Sequence, residues 1–385
     1  GSHRRVGLWL LANSVIHWLF DDPHIQIESA FVPSGTGSMV AIENQEVARR
    51  AWLYDVASHK RQLWPQIAGA TLLPLAPLSD GSWAARFYHA RQPGDLMRVA
   101  LDTGKGPVLT SLTGLPKVIG ALPAELIAPE DIRWTSGDGL RMQGWLYRAK
   151  EPAKGTIVEI HGGPTYHLEN RFDPQTQYLL RRGFNVFMPN YRGSTGFGLP
   201  FQNAILKEGW GGAEQEDIRS GIVFLIEKGI AAKGRIGVTG VSYGGYSSWW
   251  AITHFPPDLV AAAAPICGMA DLVVNYETTR PDLRLYSEQM LGGSPTQMPE
   301  RYRERSPIHH VANIKGRLLI VQGMQDPNVT PENLAAVRRA LEGAKIGYEL
   351  LTFADEGHGI RKRVNNRLLY RRLAGFFEAA FAAAG

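Results

Sequence analysis

Residues 235–245 read Arg-Ile-Gly-Val-Thr-Gly-Val-Ser-Tyr-Gly-Gly. A buried-strand pattern from Ile236 to Thr239 runs into Gly240-Val-Ser242-Tyr-Gly244, and an apolar segment then opens a helix. The Gly-x-Ser-x-Gly spacing is that of a nucleophile elbow. A turn this tight leaves no room for side chains two residues either side of the serine, hence glycine at both places. It lifts the Ser242 hydroxyl above the sheet and aims the Tyr243 N–H at a reacting carbonyl. An ordinary Gly-rich turn can show the same spacing, so the partners must decide.

A serine hydroxyl is a weak nucleophile until a base takes its proton and a third group orients that base. Two downstream stretches supply such groups, each just after a predicted strand. Gln322-Gly-Met-Gln-Asp326-Pro-Asn-Val329 follows the strand Leu318 to Val321, and an acid there can fix the tautomer of an imidazole. Taken alone, Asp-Pro is also a common turn. Asp355-Glu-Gly-His358-Gly follows the strand ending at Phe353, and its glycines let the imidazole reach Ser242 as general base. Ser242, Asp326 and His358 occur in the order expected of an α/β-hydrolase. Upstream, His161-Gly-Gly-Pro164 brings backbone close to a ligand, and the Gly163 N–H can join that of Tyr243 as an oxyanion hole. His161 reads as structural, holding that loop.

Other stretches are set aside. Asn190-Tyr-Arg-Gly-Ser-Thr-Gly-Phe-Gly198 is glycine-rich, but no Gly-Lys-Ser/Thr follows, so it reads as a loop walling the site rather than a phosphate cradle. His309 and His310 lie in a helical or linker context, and no histidine pair has metal spacing. Neither a metal nor a cofactor is expected.

These residues must be carried by alternating strands and helices. After a hairpin around Ser136-Gly-Asp-Gly139 come strands near 155–160, 185–188, 236–239, 259–264, 317–321 and 348–353. Helices are predicted near 175–182, 214–228, 331–341 and from about 364. That order implies a mostly parallel sheet with helices on both faces and the site at the strand C-terminal ends.

Residues 1–127 read differently, as short β runs separated by Pro, Gly, Asp and Ser. A weak repeat relates Trp52-Leu-Tyr-Asp55-Val-Ala-Ser-His-Lys60 to Val99-Ala-Leu-Asp102-Thr-Gly-Lys105, and Pro33-Ser-Gly-Thr-Gly-Ser-Met-Val-Ala to Leu78-Ser-Asp-Gly-Ser-Trp-Ala-Ala. A period in the forties with several strands per unit suits propeller blades, yet this length holds fewer than three. The region is therefore a truncated or degenerate propeller, or a small unrelated β domain. Open sheet edges would favour self-association or cover by a helix.

The composition is that of a globular chain: 385 residues, 44% hydrophobic, 20% charged. Basic residues number 41 against 36 acidic, a formal charge of +5. The densest basic run (Arg361, Lys362, Arg363, Arg367, Arg371, Arg372) falls on an amphipathic helix and reads as a solvated face, not a nucleic-acid surface. Cys267 is the one cysteine, which excludes an intramolecular disulfide. The run Val6 to Ala12 is too short to span a membrane, Gly1-Ser2-His3 reads as a cloning remnant, and a cytoplasmic location is the default.

Taken together, these motifs resemble the prolyl oligopeptidase family, most closely its acylaminoacyl-peptidase-like branch. The resemblance rests on His161-Gly-Gly-Pro164, Asn190 to Gly198, Trp210-Gly-Gly212 with Asp217, Gly240 to Gly245, Asp326-Pro-Asn328 and Asp355 to Gly359. It covers about 129–385 and implies an α/β-hydrolase domain, 128–385, behind a β-propeller region that is here too short to close. It implies Ser242 as nucleophile, Asp326 as orienter, His358 as base, and the Gly163 and Tyr243 N–H groups as oxyanion hole. It places Asn328 against the substrate backbone. Val329, Ile266, Leu272 and Tyr276 are candidates for an apolar specificity pocket, or plain core. The implied activity is hydrolysis of short peptides or acylated amino acids; an esterase acting on small acyl esters would use the same residues.

Overall fold

The computed structural model describes residues 5–10, 14–22, 26–34, 37–46, 48–102, 106–150 and 152–383. Gly1-Ser2-His3, Leu11-Ala12 of the first apolar run, Gly35-Thr36 and Thr103-Gly-Lys105 of the repeat lie outside them. Chain contacts divide the molecule into two compact units. One gathers residues 1–129 with 169–177 and 195–202; the other gathers 130–168, 178–194 and 203–385.

The first unit is antiparallel β. Strands β1 (Val6–Leu10) and β2 (Val15–Phe20) form a hairpin. Strands β3 (Ile27–Phe31), β4 (Ser38–Gln45), β5 (Ala48–Asp55) and β6 (Arg61–Leu63) form a four-stranded meander. A second meander holds β7 (Thr71–Pro77), β8 (Trp83–His89), β9 (Gln92–Asp102) and β10 (Gly106–Ser111). Helical turns α1 (Leu115–Ile119) and α2 (Leu122–Glu125) close the segment. The repeat read from the sequence falls on equivalent strands. Asp55 and Asp102 end the third strand of each meander, and Met39 and Trp83 begin or nearly begin the second. Strand β4 is buried on both faces: Val40 and Ile42 pack with Trp64, Leu72, Ala85 and Val99, while Met39 and Ala41 pack with Phe20, Ile27 and Tyr54. Two blade-like sheets in face contact are thus present, in agreement with an incomplete propeller.

The second unit is built on one eight-stranded sheet. Its strands are β11 (Glu130–Thr135), β12 (Arg141–Tyr147), β13 (Gly155–Ile160), β14 (Phe184–Asn190), β15 (Ile236–Val241), β16 (Ala262–Ile266), β17 (Arg317–Gly323) and β18 (Glu349–Phe353). Their order is β11-β12-β14-β13-β15-β16-β17-β18, with the first two pairings antiparallel and the rest parallel. This is the α/β-hydrolase fold. Helices α3 (Pro174–Arg181), α4 (Leu199–Asn203), α5 (Ala213–Glu227) and α6 (Tyr243–His254) precede β16. Helix α10 (Pro331–Gly343) and the last helix, α11 (Arg363–Ala382), follow β17 and β18.

The central strands are apolar on both faces because helices cover both. On one side, Phe377 and Phe381 of α11 press so close to the sheet that a side chain at Gly237 or Gly155 would collide with them. The opposite face of α11 carries most of the predicted basic run: Arg363, Arg367, Arg371 and Arg372 are exposed, as is Arg361 just before the helix, while Leu369 and Leu373 are buried.

One expectation is corrected. The strand expected at 259–264 occupies Ala262–Ile266, because a turn from Pro256 keeps Leu259 out of the ladder, which starts where Ala262 meets Gly237. The stretch after Pro265, which has no firm motif, folds into α7 (Leu272–Thr278), α8 (Pro281–Leu291), α9 (Pro299–Glu304) and a 3-10 turn (Pro307–Asn313) that holds His309 and His310.

Candidate active site

Ser242 stands between β15 and α6 with φ 62° and ψ −117°, a conformation that L-residues rarely adopt. The glycines around it are required by one obstacle. A Cβ on Gly240 would lie 2.3 Å from the Ile160 carbonyl oxygen, and one on Gly244 only 1.9 Å from it. Gly245 is needed for the close approach of Gly268, 2.6 Å from its would-be Cβ. The turn is pinned by the Ser242 N–H donating to the Ile266 carbonyl (3.0 Å) and the Tyr246 N–H donating to that of Ser242 (2.9 Å). Ser242 is half-buried, and Val241 beside it is exposed.

The His161-Gly-Gly-Pro164 loop leaves β13 directly against this elbow. A Cβ on Gly162 would come within 2.8 Å of the Val241 carbonyl oxygen and 3.4 Å of the Ser242 Cβ. Gly163, predicted as an oxyanion donor, has φ 118°, open only to glycine. His161 is buried and both ring nitrogens are engaged, Nδ1 with the Gly162 carbonyl (2.8 Å) and Nε2 with the Ser194 hydroxyl (2.9 Å). Its ring stacks on Tyr191 at 4.2 Å, and the Tyr191 hydroxyl donates to the His161 carbonyl (2.8 Å). Burial pushes the imidazole down to about 3, so it stays neutral and holds the loop.

Asp326 and His358 meet across two adjacent strand ends. His358 Nδ1 lies 2.8 Å from Asp326 Oδ2 and 3.0 Å from Oδ1. Asp326 Oδ1 also accepts the N–H groups of Asn328 (2.8 Å) and Val329 (3.0 Å), which fixes the carboxylate. The two loops are joined by the Gln325 N–H donating to the Glu356 carbonyl (2.8 Å) and the Met324 N–H to that of Phe353 (2.9 Å). A Cβ on Gly359, next to His358, would lie 3.9 Å from Val241 Cγ1, so the histidine loop borders the elbow. Cys267 lies fully buried beneath, its thiol donating to the Gly357 carbonyl (3.9 Å). Burial raises that thiol to about 11, which leaves it protonated and inert.

The proposed pocket residues are less gathered. Ile266 and Val329 are buried and touch the site through backbone, Ile266 under Ser242 and Val329 at Asp326. Leu272 opens α7, its N–H on the Ser306 hydroxyl (2.9 Å), and the hydroxyl of Tyr276, one turn on, donates to Glu288. Asn328 is half-buried; its backbone carbonyl accepts from Thr279 (2.7 Å) and its Oδ1 has no hydrogen-bond partner.

Sequence reasoning alone misses several supports. Buried Asp217 takes two hydrogen bonds from the Arg192 guanidinium (2.7 Å each), one from the Arg192 N–H (2.9 Å) and one from Ser136 (2.7 Å). This ties the loop at 190–198, through Arg192, to helix α5. Glu356 receives the Lys362 N–H (2.8 Å), the Arg361 N–H (3.2 Å) and Asn365 Nδ2 (2.8 Å), and so closes the loop that carries His358. Glu214, buried beneath the elbow, accepts the Tyr243 hydroxyl at 2.8 Å. Glu356 and Glu214 were visible in Asp355-Glu-Gly-His and Trp-Gly-Gly-Ala-Glu; their burial was not.

Among the described residues there is no group of three or more His, Cys, Asp or Glu side chains placed to hold a metal ion, and no helix long and apolar enough to cross a membrane.

Comparison with solved structures shows the same fold. The chain matches an acylaminoacyl peptidase, solved with Z-Gly-Gly-Phe-chloromethyl ketone, with TM-score 0.82 and 24% identity over 98% of this chain and 59% of that one. A puromycin-hydrolyzing peptidase of Mycobacterium tuberculosis gives TM-score 0.81 and 24% identity over 96% and 57%. Among sequences, dipeptidyl aminopeptidase BIII of Pseudoxanthomonas mexicana is 28% identical over 314 residues, 78% of this chain and 44% of the relative. Acylamino-acid-releasing enzyme 1 of Oryza sativa subsp. japonica is 28% identical over 228 residues, 57% and 28% respectively. The chain thus spans less than half the length of these two relatives. A profile of the prolyl oligopeptidase family matches residues 170–384, more than half of the chain, and the chain belongs to that family.

Proposed function

We propose that the protein is a serine peptidase that hydrolyses short peptides or acylated amino acids through an acyl-enzyme on Ser242. The observation that carries this reading is the bond of His358 Nδ1 to Asp326, on a loop bordering an elbow that holds Ser242 in a strained turn. The names of the relatives, a dipeptidyl aminopeptidase and an acylamino-acid-releasing enzyme, support the substrate class.

In this mechanism His358 Nε2 takes the Ser242 proton as Oγ attacks the scissile carbonyl carbon. The Gly163 and Tyr243 N–H groups receive the oxyanion. Asp326 holds Nδ1–H and stabilises the imidazolium. Collapse breaks the C–N bond, and the leaving amine takes the proton from His358, giving an ester on Ser242. Water, deprotonated by His358, attacks that ester; the acid leaves and Ser242 regains its proton. Asn328 presents its side-chain amide to the substrate backbone.

The test is a paired assay on N-acylated and free aminoacyl p-nitroanilides and on short-chain aryl esters, with Ser242→Ala as blank. The expected result is anilide hydrolysis that falls by about a thousandfold or more in Ser242→Ala with folding intact. Undiminished turnover in that variant overturns the reading. Ester cleavage without anilide cleavage replaces peptidase by esterase.

A further inference from the structure

Glu214 is fully buried in the first turn of α5, yet all four of its hydrogen-bond donors are neutral. They are the N–H groups of Gly211 (2.5 Å) and Gly212 (2.9 Å), Gln215 Nε2 (3.0 Å) and the Tyr243 hydroxyl (2.8 Å). Burying a carboxylate without a cation is unfavourable. Burial accordingly drives its pKa up, against the pull of those hydrogen bonds. A neutral residue would be the default choice here unless the geometry demanded acceptors alone. Four converging donors demand that: a carboxylate offers only acceptors, whereas an amide would point an NH₂ at one or more of them.

The donor that matters is Tyr243. It follows the nucleophile, and its N–H is one arm of the proposed oxyanion hole. Its side chain is fully buried and so faces away from any substrate, toward Trp210 (ring centroids 5.5 Å), Tyr246 (5.2 Å) and Tyr191 (6.1 Å). Tyr191 in turn stacks on His161 and bonds its carbonyl, one residue before the Gly162-Gly163 backbone. Gln215 adds a second tie, donating to Ser247 on the same helix (3.0 Å). Both arms of the hole are therefore braced from below by one aromatic cluster whose polar end is Glu214.

We infer that Glu214 is a positioning residue for the oxyanion hole: through the Tyr243 hydroxyl it fixes the backbone N–H that receives the developing negative charge. The inference rests on the acyl-transfer reading above. Its own charge disfavours a second negative charge nearby, so its contribution is geometric. A donor displaced by a fraction of an ångström contributes little in the ground state and much in the transition state.

The experiment compares wild type, Glu214→Gln, Tyr243→Phe and the double variant. For each, kcat and KM on an aminoacyl anilide are measured with the inhibition constant of an aryl boronic acid, which adds to Ser242 as a tetrahedral adduct, and the thermal midpoint. Glu214→Gln is expected to lower kcat about tenfold to a hundredfold with KM within about twofold, and to weaken the boronic acid by the same factor as kcat. Tyr243→Phe should lie between wild type and Glu214→Gln, and the double variant should be no worse than Glu214→Gln alone. A merely structural role would lower the thermal midpoint and leave kcat and boronic acid affinity of the folded enzyme within twofold; that result overturns the inference. If Glu214→Gln does not fold, Tyr243→Phe decides by the same split. A wild type inactive on anilides and esters overturns the proposed function and this inference with it, whereas an active wild type with an indifferent Glu214→Gln overturns this inference alone.

Discussion

At Ser242 the chain accepts backbone strain for the sake of a hydroxyl presented at the strand end. With φ 62° and ψ −117° the residue sits where a Cβ crowds its own peptide, at about 1–3 kcal/mol. Two inactive variants separate strain from chemistry. Ser242→Ala keeps the Cβ and the strain, while Ser242→Gly releases it, offset in part by about 0.5–1 kcal/mol of glycine's unfolded-state entropy. The glycine variant is expected to unfold at higher denaturant, by about 1 kcal/mol in stability, with both lacking turnover. Equal stabilities in urea titrations would mean that the elbow is relaxed. At this scale the sequence was most legible where chemistry forces residue type: glycine around Ser242, glycine either side of His358. It was least legible for Glu214, Glu356 and Cys267, because an acid or thiol in a chain reads the same whether buried or solvated. Only the fold tells that the Glu356 carboxylate closes a loop and that the thiol of Cys267 lies under the imidazole-bearing loop.

The elements that position the site are held by few contacts at its rim. The loop from Asp355 to Lys362 depends on Glu356, which gathers two backbone N–H groups and Asn365 Nδ2. Glu356→Ala removes the acceptor of the Arg361 and Lys362 N–H groups, while Asn365 Nδ2 keeps its bond to Asp355; the loss costs about 1–3 kcal/mol and loosens the loop that presents His358. The expected outcome is a fall in kcat of about tenfold with KM little changed, and faster amide hydrogen exchange confined to residues 355–362. Unchanged kcat with slow exchange would show that Asp326 alone orders the histidine. Strand-to-helix alternation was readable for β13 to β17 because both-face burial gives continuous apolar runs, and for the edge strand β18 from its short apolar run ending at Phe353. The insertion from α7 to α9 was not. Its helices run from 6 to 11 residues, two of them begin with proline (Pro281, Pro299), as does the 3-10 turn after them (Pro307), and no motif in the sequence anchors them. The misplaced start of β16 has a similar cause: Leu259 and Val260 are as apolar as the strand beyond them, but hydrogen bonding begins only past the Pro256 turn.

Across the whole molecule, the two β meanders and the eight-stranded sheet follow from different periodicities. The blade-like repeat was detectable because it recurs at equivalent strands; the hairpin β1–β2, with Trp9, Ile16 and Trp18 exposed, has no counterpart in it. The molecule's stability should carry the mark of its buried imidazoles. Burial lowers His161 to about 3, and burial together with neighbouring His310 lowers His254 to about 4, whereas an unfolded histidine titrates near 6.5. Below pH 6.5 the unfolded chain therefore binds protons that the folded chain refuses. Stability rises with pH across that window, is complete above it, and is lost as pH falls toward the folded values. Each such group contributes a slope of at most about 1.4 kcal/mol per pH unit. Glu214 acts with the opposite sign, since its raised carboxyl favours the protonated folded form, over a window opening near 4.5. Thermal midpoints of wild type and His161→Gln between pH 7.5 and 5 isolate the histidine. The variant should be less stable at pH 7.5, having lost the stack on Tyr191 and the bond to Ser194, yet lose fewer degrees on acidification. Midpoint curves that stay parallel down to pH 5 would mean that His161 takes up a proton in the folded state, and the loop it holds would then have to open in acid.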